Sequence, residues 1–436
     1  MRRELAIALR CRVTWLVAAL AALLIGHGFV LAIDLYSASS RSALASVLQT
    51  REMDPLAGIV RPTLGGVSLA LSLLGPVIAG RTLAIEKERR TWGALCLAVG
   101  SPARVVLQKV LASALGCALL LVVPITLFVA FAAFGGHVDP IETAVAIGGE
   151  GLHLLLIVAI ATTAAAWTRS FAQAVTMGIL ASLTSWAIDA AEGFAALAWL
   201  GRAIAWSIEQ WLLPFQRGIV AVGSVLWLMC AAAIALVAAV AGATLEPLAR
   251  KAVIAVALLA VGLVALASIS TVRRGFDWSE QRRASLPPAA VEALRRLESP
   301  ISMDVFLDRD DSRRRQIESD ALAKLLLARP DVGIRMPLDE SANALEAQRD
   351  SDYGRIVVRV GDAVRETRST SRRELITLIF DAAGKKLPDW AQSAYPGYPI
   401  VFDGMRRRLL GLLAYFGLPL AFALVGVGLT HGRTTR

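Results

Sequence analysis

Charged and histidine side chains that interrupt apolar stretches are the residues of this 436-residue sequence best suited to chemistry. Glu150 and His153 lie one helical turn apart inside such a stretch, a spacing that suits a polar site within a membrane. The alternative, which the surroundings favour, is a glutamate near the membrane interface beside a neutral, hydrogen-bonded histidine. Asp189 and Glu192 close another apolar stretch and are weaker candidates of the same kind.

Catalytic motifs are sparse in the rest of the sequence. There is no Gly-x-x-x-x-Gly-Lys-Ser/Thr string, so we predict that the chain does not hydrolyse ATP itself. The four histidines lie in different segments and the four cysteines form no Cys-x-x-Cys pair, which predicts no metal site, no cofactor in this chain and no enzymatic activity. Ser68 with His153 would suit an intramembrane hydrolase, but serine is ordinary in packed spanning helices, which favours a structural role.

Apolar length identifies the chain as an integral membrane protein, since 56% of its residues are hydrophobic and only 18% are charged. Eight stretches are long enough to cross a hydrocarbon layer of roughly 30 Å. They lie near residues 13–33, 64–84, 108–134, 143–166, 171–190, 219–243, 252–270 and 409–430. The predicted fold is a polytopic α-helical membrane protein with a six-span unit, two further spans and an inserted α/β extracytoplasmic domain.

Lysine and arginine are distributed unevenly between the predicted loops. The termini and short loops on one side carry fifteen of them, against five on the other. The positive-inside rule therefore predicts a multi-pass protein of the cell (inner) membrane with both termini and residues 81–109 in the cytoplasm. Residues 271–403, predicted to be extracytoplasmic, hold 22 basic and 22 acidic side chains. The net charge of +10 therefore reflects orientation and the anionic lipid bilayer, and we predict no nucleic-acid partner.

The predicted cytoplasmic stretch at 81–109 joins two spans and reads RTLAIEKERRTWGALCLAVGSPARVVLQK. Mixed charges at 86–90, followed by Trp92, Leu95 and Leu97, would offer an ionic and apolar surface to a partner protein. Rigid attachment to both spans would transmit the partner's motion. From composition alone, a solvated surface helix is an equal alternative.

This stretch resembles the signature of ABC-2 type permeases, the membrane subunits of one large class of ABC exporters. The matching residues are Glu86, Glu88, Arg89, Thr91, Leu95, Ser101, Pro102 and Lys109, and Trp92 lies among them. The family usually has Gly-Thr where this chain has Arg90-Thr91. The resemblance covers residues 1–245 and includes an amphipathic amino-terminal helix and a long external segment, 191–218, between spans five and six. The tryptophans and charged residues of this segment predict one or two shallow interfacial helices, with a re-entrant element as the alternative.

The resemblance implies that separate subunits carry out ATP hydrolysis and transport. The 81–109 stretch would form a coupling helix that docks into an ABC ATP-binding subunit, and that partner would bind ATP and Mg²⁺. A second permease copy, or a related permease, would complete the transporter.

A second resemblance concerns the long loop between the last two spans. Phe276-Asp277-Trp278-Ser279, Arg283, Ser285-Leu286 and the strand-like run 301–307 are similar to the auxiliary subunits of gliding-motility-type ABC transporters. Those subunits carry an anchored extracytoplasmic α/β domain, which here would be shortened and fused to its permease. An unrelated domain in the same loop is the alternative.

The pattern within this loop alternates between strands and helices. We predict a helix from 288 to 298, a strand at 301–307, a helix at 317–328, a strand at 332–336 and a hairpin over 355–367. Ser371 and Glu374 have the spacing of a capping box that begins a helix ending at Ala383.

The sequence therefore divides into a permease domain at 1–245, a seventh span at 246–270, the α/β domain at 271–403, and an eighth span with a cytoplasmic tail at 404–436. The predicted function is the permease subunit of an ATP-driven exporter. The alternative is a membrane-anchored scaffold or assembly factor that acts through the extracytoplasmic domain.

Overall fold

The computed structural model of the protein describes residues 11–51, 53–190, 206–244, 247–272, 274–308, 311, 313–314, 317–340, 352–387 and 395–431. Contacts divide the chain into two compact units. The first comprises Met1–Val272 with Pro396–Arg436, and the second is Arg273–Tyr395. Residues 1–10 and 191–205, where we predicted part of the amphipathic amino-terminal helix and part of an interfacial segment, lie outside the described residues.

The first unit is helical. Its helices are α1 (Arg12–Ala43), α2 (Arg61–Glu88), α3 (Trp92–Val99), α4 (Pro102–Ala133), α5 (Pro140–Trp167), α6 (Phe171–Ala190), α7 (Ile208–Leu212), α8 (Val222–Ala243) and α9 (Leu248–Ile269). After the second unit, α10 (Gly404–Leu412) continues through Leu413–Gly417 into α11 (Leu418–His431). Short helical turns at Val47–Arg51, Leu56–Val60 and Phe215–Arg217, and a short strand at Ile219–Ala221, complete it.

Within the described residues, eight helices are long and apolar enough to cross a membrane, and each predicted span overlaps one of them. The protein is thus a largely helical chain of the multi-pass membrane type. Most of the helices extend beyond the predicted spans, because the polar turns that flank the apolar residues are helical as well, whereas the fifth has the predicted bounds and the sixth begins three residues later, at Val222.

Local sequence signals account for several helix ends. The Asp139 carboxylate caps α5 by accepting a hydrogen bond from the Glu142 backbone N–H at 2.8 Å, and Pro140 occupies the first turn. Pro102 likewise begins α4. Gly100 ends α3 with a φ of 77°, a left-handed conformation that glycine adopts without a Cβ clash.

The eighth predicted span packs directly on the first. A Cβ added at Gly26 in α1 would lie 2.8 Å from the Ala414 carbonyl oxygen, and one at Gly426 would lie 2.7 Å from the Trp15 Cβ. Trp15 also packs against Phe422, with ring centroids 6.1 Å apart. Small residues at these points let the two helices approach closely, as is common between helices in membranes.

Replacing Gly26 by valine is therefore expected to destabilise the first unit by about 1–3 kcal/mol, because the obstructing atom is backbone that has to move. The midpoint of thermal unfolding in detergent checks this. Gly28→Val is the matched control on the same helix, since the nearest atom to its added Cβ is 3.7 Å away. An equal loss for both variants would contradict the close contact.

Residues 396–402, which precede the last span, are hydrogen-bonded to the end of α1. The Tyr36 hydroxyl donates to the Tyr398 carbonyl oxygen at 2.9 Å. The Ile400 backbone N–H donates to the Ser40 hydroxyl at 3.1 Å. His137 stacks on the Tyr398 ring with centroids 3.5 Å apart. The last span is thus anchored to the first unit at its entry as well as along its length.

The second unit is an α/β fold with its own buried core. Its helices and strands are a helix at Pro288–Arg295, β1 (Ile301–Val305), a helical segment at Ile317–Leu322 and Ala323–Ala328, β2 (Gly333–Arg335), a turn at Pro337–Glu340, β3 (Ile356–Val360), β4 (Ala363–Thr367) and a helix at Arg372–Ala382, with a short strand earlier at Gly275–Asp277. The sheet order is β2-β1-β3-β4, with β2 parallel to β1 and the remaining pairs antiparallel.

The structure confirms the predicted hairpin but corrects details of this unit. Its first helix ends at Arg295, three residues before the predicted end, and β1 ends at Val305. The predicted capping box is wrong, because Ser371 makes no side-chain capping bond. The Glu374 carboxylate instead accepts a hydrogen bond from the Thr367 hydroxyl at 2.7 Å, and bonds from Ser369 and Thr367 lower the pKa of Glu374. A hydroxyl from the preceding hairpin competed successfully for the carboxylate.

Candidate functional site

A tight turn joins α2 to α3 at the predicted coupling stretch. The backbone N–H of Thr91 donates to the Glu86 carbonyl oxygen at 2.9 Å, and its hydroxyl bonds both that oxygen, at 3.1 Å, and the Glu86 carboxylate. Arg90 adopts a φ of 58° at the apex. The turn therefore reverses the chain through a left-handed residue that is not glycine.

Arg90 occupies the position where the resembled family usually has glycine. Because left-handed backbone costs a residue with a Cβ about 1–2 kcal/mol, Arg90→Gly is expected to raise the free energy of unfolding by up to about 1 kcal/mol. Thermal unfolding of Arg90→Gly and of the control Arg89→Gly measures the difference, since Arg89 has an ordinary φ of −79°. A stabilisation of both variants, or of neither, would count against a strained turn.

Glu86 and Lys109 face each other rather than solvent. The Lys109 ammonium lies 3.3 Å from the Glu86 carboxylate; 2% of the lysine side chain and 31% of the glutamate side chain are exposed. With the Thr91 hydroxyl on the same carboxylate, the ion pair fastens the end of α2 to the first turns of α4. These matching residues therefore maintain the turn internally.

Two further side chains connect the turn to other spanning helices. The Lys87 ammonium donates to the carbonyl oxygens of Ala165, Ala166 and Thr168 at 3.1, 2.6 and 2.6 Å, capping the end of α5. The buried Trp92 indole N–H donates to the Ala243 carbonyl oxygen, at the end of α8, at 3.0 Å. Movement of the turn would consequently act on four spanning helices, not only on the two that it joins.

The outer face of the turn and of α3 is exposed. Glu88, Arg89 and Thr91 are exposed, and 85% of the Leu97 side chain is accessible. Leu95 is half-buried, whereas Ser101 and Pro102 form the entry to α4. The predicted residues thus separate into an exposed group, Glu88, Arg89, Thr91 and Leu97, called the exposed coupling face below, and an internal group that positions it.

The loops that were predicted to share one side of the membrane meet at one end of the first unit. Arg81 contacts the Cys11 thiol at the start of α1, Lys87 reaches Thr168 after α5, and Trp92 reaches the end of α8. Lys251 at the start of α9 donates to the Gly242 carbonyl oxygen at 3.0 Å. This end is therefore rich in basic residues that bond helix termini.

Glu150 and His153 are both 1% exposed and form a second polar cluster with Ser68 of α2. The Ser68 hydroxyl donates to both Glu150 carboxylate oxygens at 3.0 and 3.1 Å, and His153 Nδ1 lies 3.2 Å from the same carboxylate. Ser68 thus bonds the glutamate and not the histidine, which is not the order of a serine nucleophile activated by its base. The arrangement binds a polar group better than it supports hydrolysis.

A third acid, Glu209 of α7, lies beside this cluster. Burial raises the pKa of Glu209, with Glu150 and Asp189 adding to the rise and His153 opposing it. Asp189, at the end of α6, accepts hydrogen bonds from Ser207 at 3.1 Å and Gln210 at 3.0 Å. The described part of segment 191–218 therefore packs against the helices that carry the polar cluster. Glu192 lies outside the described residues.

Sequence reasoning missed Lys87 and Glu209. A lysine in the last turn of a helix signals a capping role, but the helix that it caps is set by packing. Glu209 stands among tryptophans in a segment that reads as interfacial, so nothing in the sequence placed it next to Glu150.

Chemically, the first site can contact a protein through charge and one large apolar side chain, and the second can hold a proton or a small polar group. Among the described residues, no three His, Cys, Asp or Glu side chains are grouped to hold a metal ion. Comparison of the chain with known proteins finds no matching family model, no matching curated protein and no matching solved structure.

Proposed function

We propose that this chain is the permease subunit of an ATP-driven exporter of the ABC-2 type, with residues 1–245 as its six-span transport domain. The observation that carries the proposal is the exposed coupling face. The Glu86–Lys109 ion pair holds it in place, and Lys87 and Trp92 connect the same turn to two further spanning helices. Such a surface joins contact with a partner to movement of the bundle. Both termini and the 81–109 stretch would be cytoplasmic in the inner membrane, and residues 271–403 extracytoplasmic.

In this mechanism an ABC ATP-binding subunit docks on Glu88, Arg89, Thr91 and Leu97. ATP, bound with Mg²⁺ by the partner, draws two such subunits together. The force enters α2 and α4 through the Glu86–Lys109 pair, and α5 and α8 through Lys87 and Trp92. A second permease copy or a related permease forms the other half of the pathway.

The test is co-purification of the tagged chain from native membranes in mild detergent. We expect a protein with a phosphate-binding loop to co-purify and to show ATPase activity. Arg89→Glu with Leu97→Asp should reduce its recovery at least tenfold, roughly the effect of losing an interface hot spot. Lys386→Glu, an exposed basic residue of the second unit, is the control that should leave recovery unchanged.

Recovery that is equal for the double variant and the control would reject the coupling face, and the absence of any ATPase with the unmodified chain would reject the exporter. If the double variant changes only membrane association, Leu97 contacts lipid instead of a partner. The three outcomes therefore separate partner, lipid and neither.

A second candidate is the scaffold or assembly factor, favoured by the independent core of the second unit. That unit also carries a concavity of about 700 Å³ lined by Arg274, Arg295, Arg329 and Asp331, among others. Residues 252–436 expressed alone would restore the phenotype of a strain lacking the chain if this unit is the active part. Restoration that requires the first unit and an intact exposed coupling face favours the exporter.

A further inference from the structure

Acids outnumber bases around Glu209, where residues 206–218 meet α5 and α6. Glu150 and His153 face this region from α5, Asp189 faces it from α6, and Glu209 belongs to the segment itself. The third helix that α7 contacts, α8, contains no acidic, basic or histidine residue, and Cys230 is its only titratable side chain. Ser68 from α2 adds a hydroxyl but no charge.

Two arginines of residues 206–218 and α2, Arg217 and Arg61, are not among the groups that act on Glu209. Burial lowers the pKa of Arg217, at the far end of the segment, and the nearby charge of Arg61 lowers it further, to about 10. The groups whose charges act on Glu209 are His153, Asp189 and Glu150. In the described residues, three carboxyl groups are thus set against a single imidazole.

Two buried atoms in this cluster have no hydrogen-bond partner among the described residues. One is Oε2 of Glu209, and the other is Nε2 of His153, whose side chain is 1% exposed. Leaving a charge on a buried carboxylate oxygen without a partner is costly, whereas the protonated acid is neutral. The geometry therefore favours a carboxylic acid over a carboxylate at Glu209.

We propose that Glu209 carries an exchangeable proton beside the Glu150–His153 pair, and that this proton keeps residues 206–218 seated on α5 and α6.

Specific contacts hold residues 206–218 on the spanning helices, and ionisation of Glu209 would oppose those contacts. Ile208 donates its backbone N–H to the Ser185 hydroxyl at 2.6 Å, and Phe215 packs so closely on α5 that a Cβ on Gly149 would lie 2.7 Å from its side chain. Loss of the proton places a negative charge on Glu209, beside the two acids, Glu150 and Asp189, that raise its pKa. Repulsion then acts against these contacts, so the segment opens as the pH rises.

The direction of the pH effect follows from the raised pKa of Glu209. Stability contributed by the proton is fully present below the ordinary glutamate pKa of about 4.3 and is lost as the pH rises through the raised value in the folded protein. Glutamine cannot ionise, so Glu209→Gln should abolish this part of the pH dependence.

The direct test is infrared spectroscopy of the full chain in lipid nanodiscs as the pH is raised from about 4.3, the ordinary glutamate pKa. We expect one component of the carboxylic-acid band to disappear at higher pH than the rest. This late band should be lost in Glu209→Gln and retained in Glu298→Gln, an exposed glutamate of the second unit. His153→Gln should move the disappearance of the band to higher pH, because the interaction with His153 lowers the pKa of Glu209. A band unchanged in Glu209→Gln, or lost only in Glu150→Gln, would overturn the proposal.

Hydrogen–deuterium exchange of residues 206–218 tests the seating separately. After correction for the intrinsic pH dependence of exchange, protection should fall with rising pH in the unmodified chain and stay constant in Glu209→Gln. Protection that falls equally in both would show that another group holds the segment and would refute the role given to the proton.

Discussion

Replacing Glu86 by alanine is expected to lower the free energy of unfolding by about 2–4 kcal/mol. The substitution leaves the Lys109 ammonium, which is 2% exposed, without the carboxylate that lies 3.3 Å away. Breaking a buried ion pair by removing one partner is costly because a charge stays buried without compensation. The partial exposure of Glu86 keeps the loss toward the lower part of this range. Denaturation of the full chain in detergent measures it.

A double-mutant cycle separates the ion pair from the rest of the turn. Glu86→Ala combined with Lys109→Met should be more stable than Glu86→Ala alone, since no charge is then left buried. Glu88→Ala, two residues further along the turn and exposed, is the control and should stay within about 0.5 kcal/mol of the unmodified chain. If Glu86→Ala and Glu88→Ala lose equal stability, the Glu86–Lys109 ion pair does not maintain the turn.

Trp92→Ala should cost about 3–5 kcal/mol, because it removes a buried aromatic side chain and its hydrogen bond to the Ala243 carbonyl oxygen. Leu97→Ala, on the same short helix, should cost less than about 0.5 kcal/mol, because 85% of that side chain is already exposed. Thermal unfolding of the two variants side by side measures the contrast.

The importance of the two positions should be reversed when partner binding is measured with Leu97→Ala and the conservative variant Trp92→Phe. With stability accounted for, Leu97→Ala is expected to weaken recovery of the ATP-binding subunit, whereas Trp92→Phe, which keeps most of the apolar contact, should leave it near normal. A large loss of stability in Leu97→Ala would mean that α3 is buried by part of this chain and is not available to a partner.

Much of the secondary structure could be predicted because it follows from local periodicity. Apolar runs of the required length gave all eight spanning helices, and a Gly-Asp turn between β-branched runs gave the hairpin of Ile356–Val360 and Ala363–Thr367. The capping box did not form although its spacing was correct, because the Glu374 carboxylate accepts from the Thr367 hydroxyl and the Ser371 backbone N–H donates to the Ser369 hydroxyl. Local signals identify candidate bonds, whereas competition among nearby donors decides which of them form.

The candidate coupling stretch shows the same limit. Sequence placed Glu86, Trp92 and Lys109 on the surface offered to a partner, yet Trp92 and Lys109 are buried and Glu86 is turned toward Lys109. In α3, which has only eight residues, the helices beside it decide which face packs inward, and the same packing brings Glu86 of α2 to Lys109 of α4. The ABC-2 assignment and the docking of an ATP-binding subunit remain predictions that the experiments above address.

By itself the sequence determined that the chain spans a membrane repeatedly, where its helices lie, and that an ion-rich turn separates two of them, because hydropathy and charge act over short stretches of chain. Tertiary structure alone decided which of those ions face solvent, that Lys87 caps α5, and that Glu209 lies beside Glu150 and His153. The physical reason is that burial and pairing join residues 23 to 82 positions apart, such as Glu86 with Lys109 and Ser68 with Glu150, and no local pattern encodes those meetings.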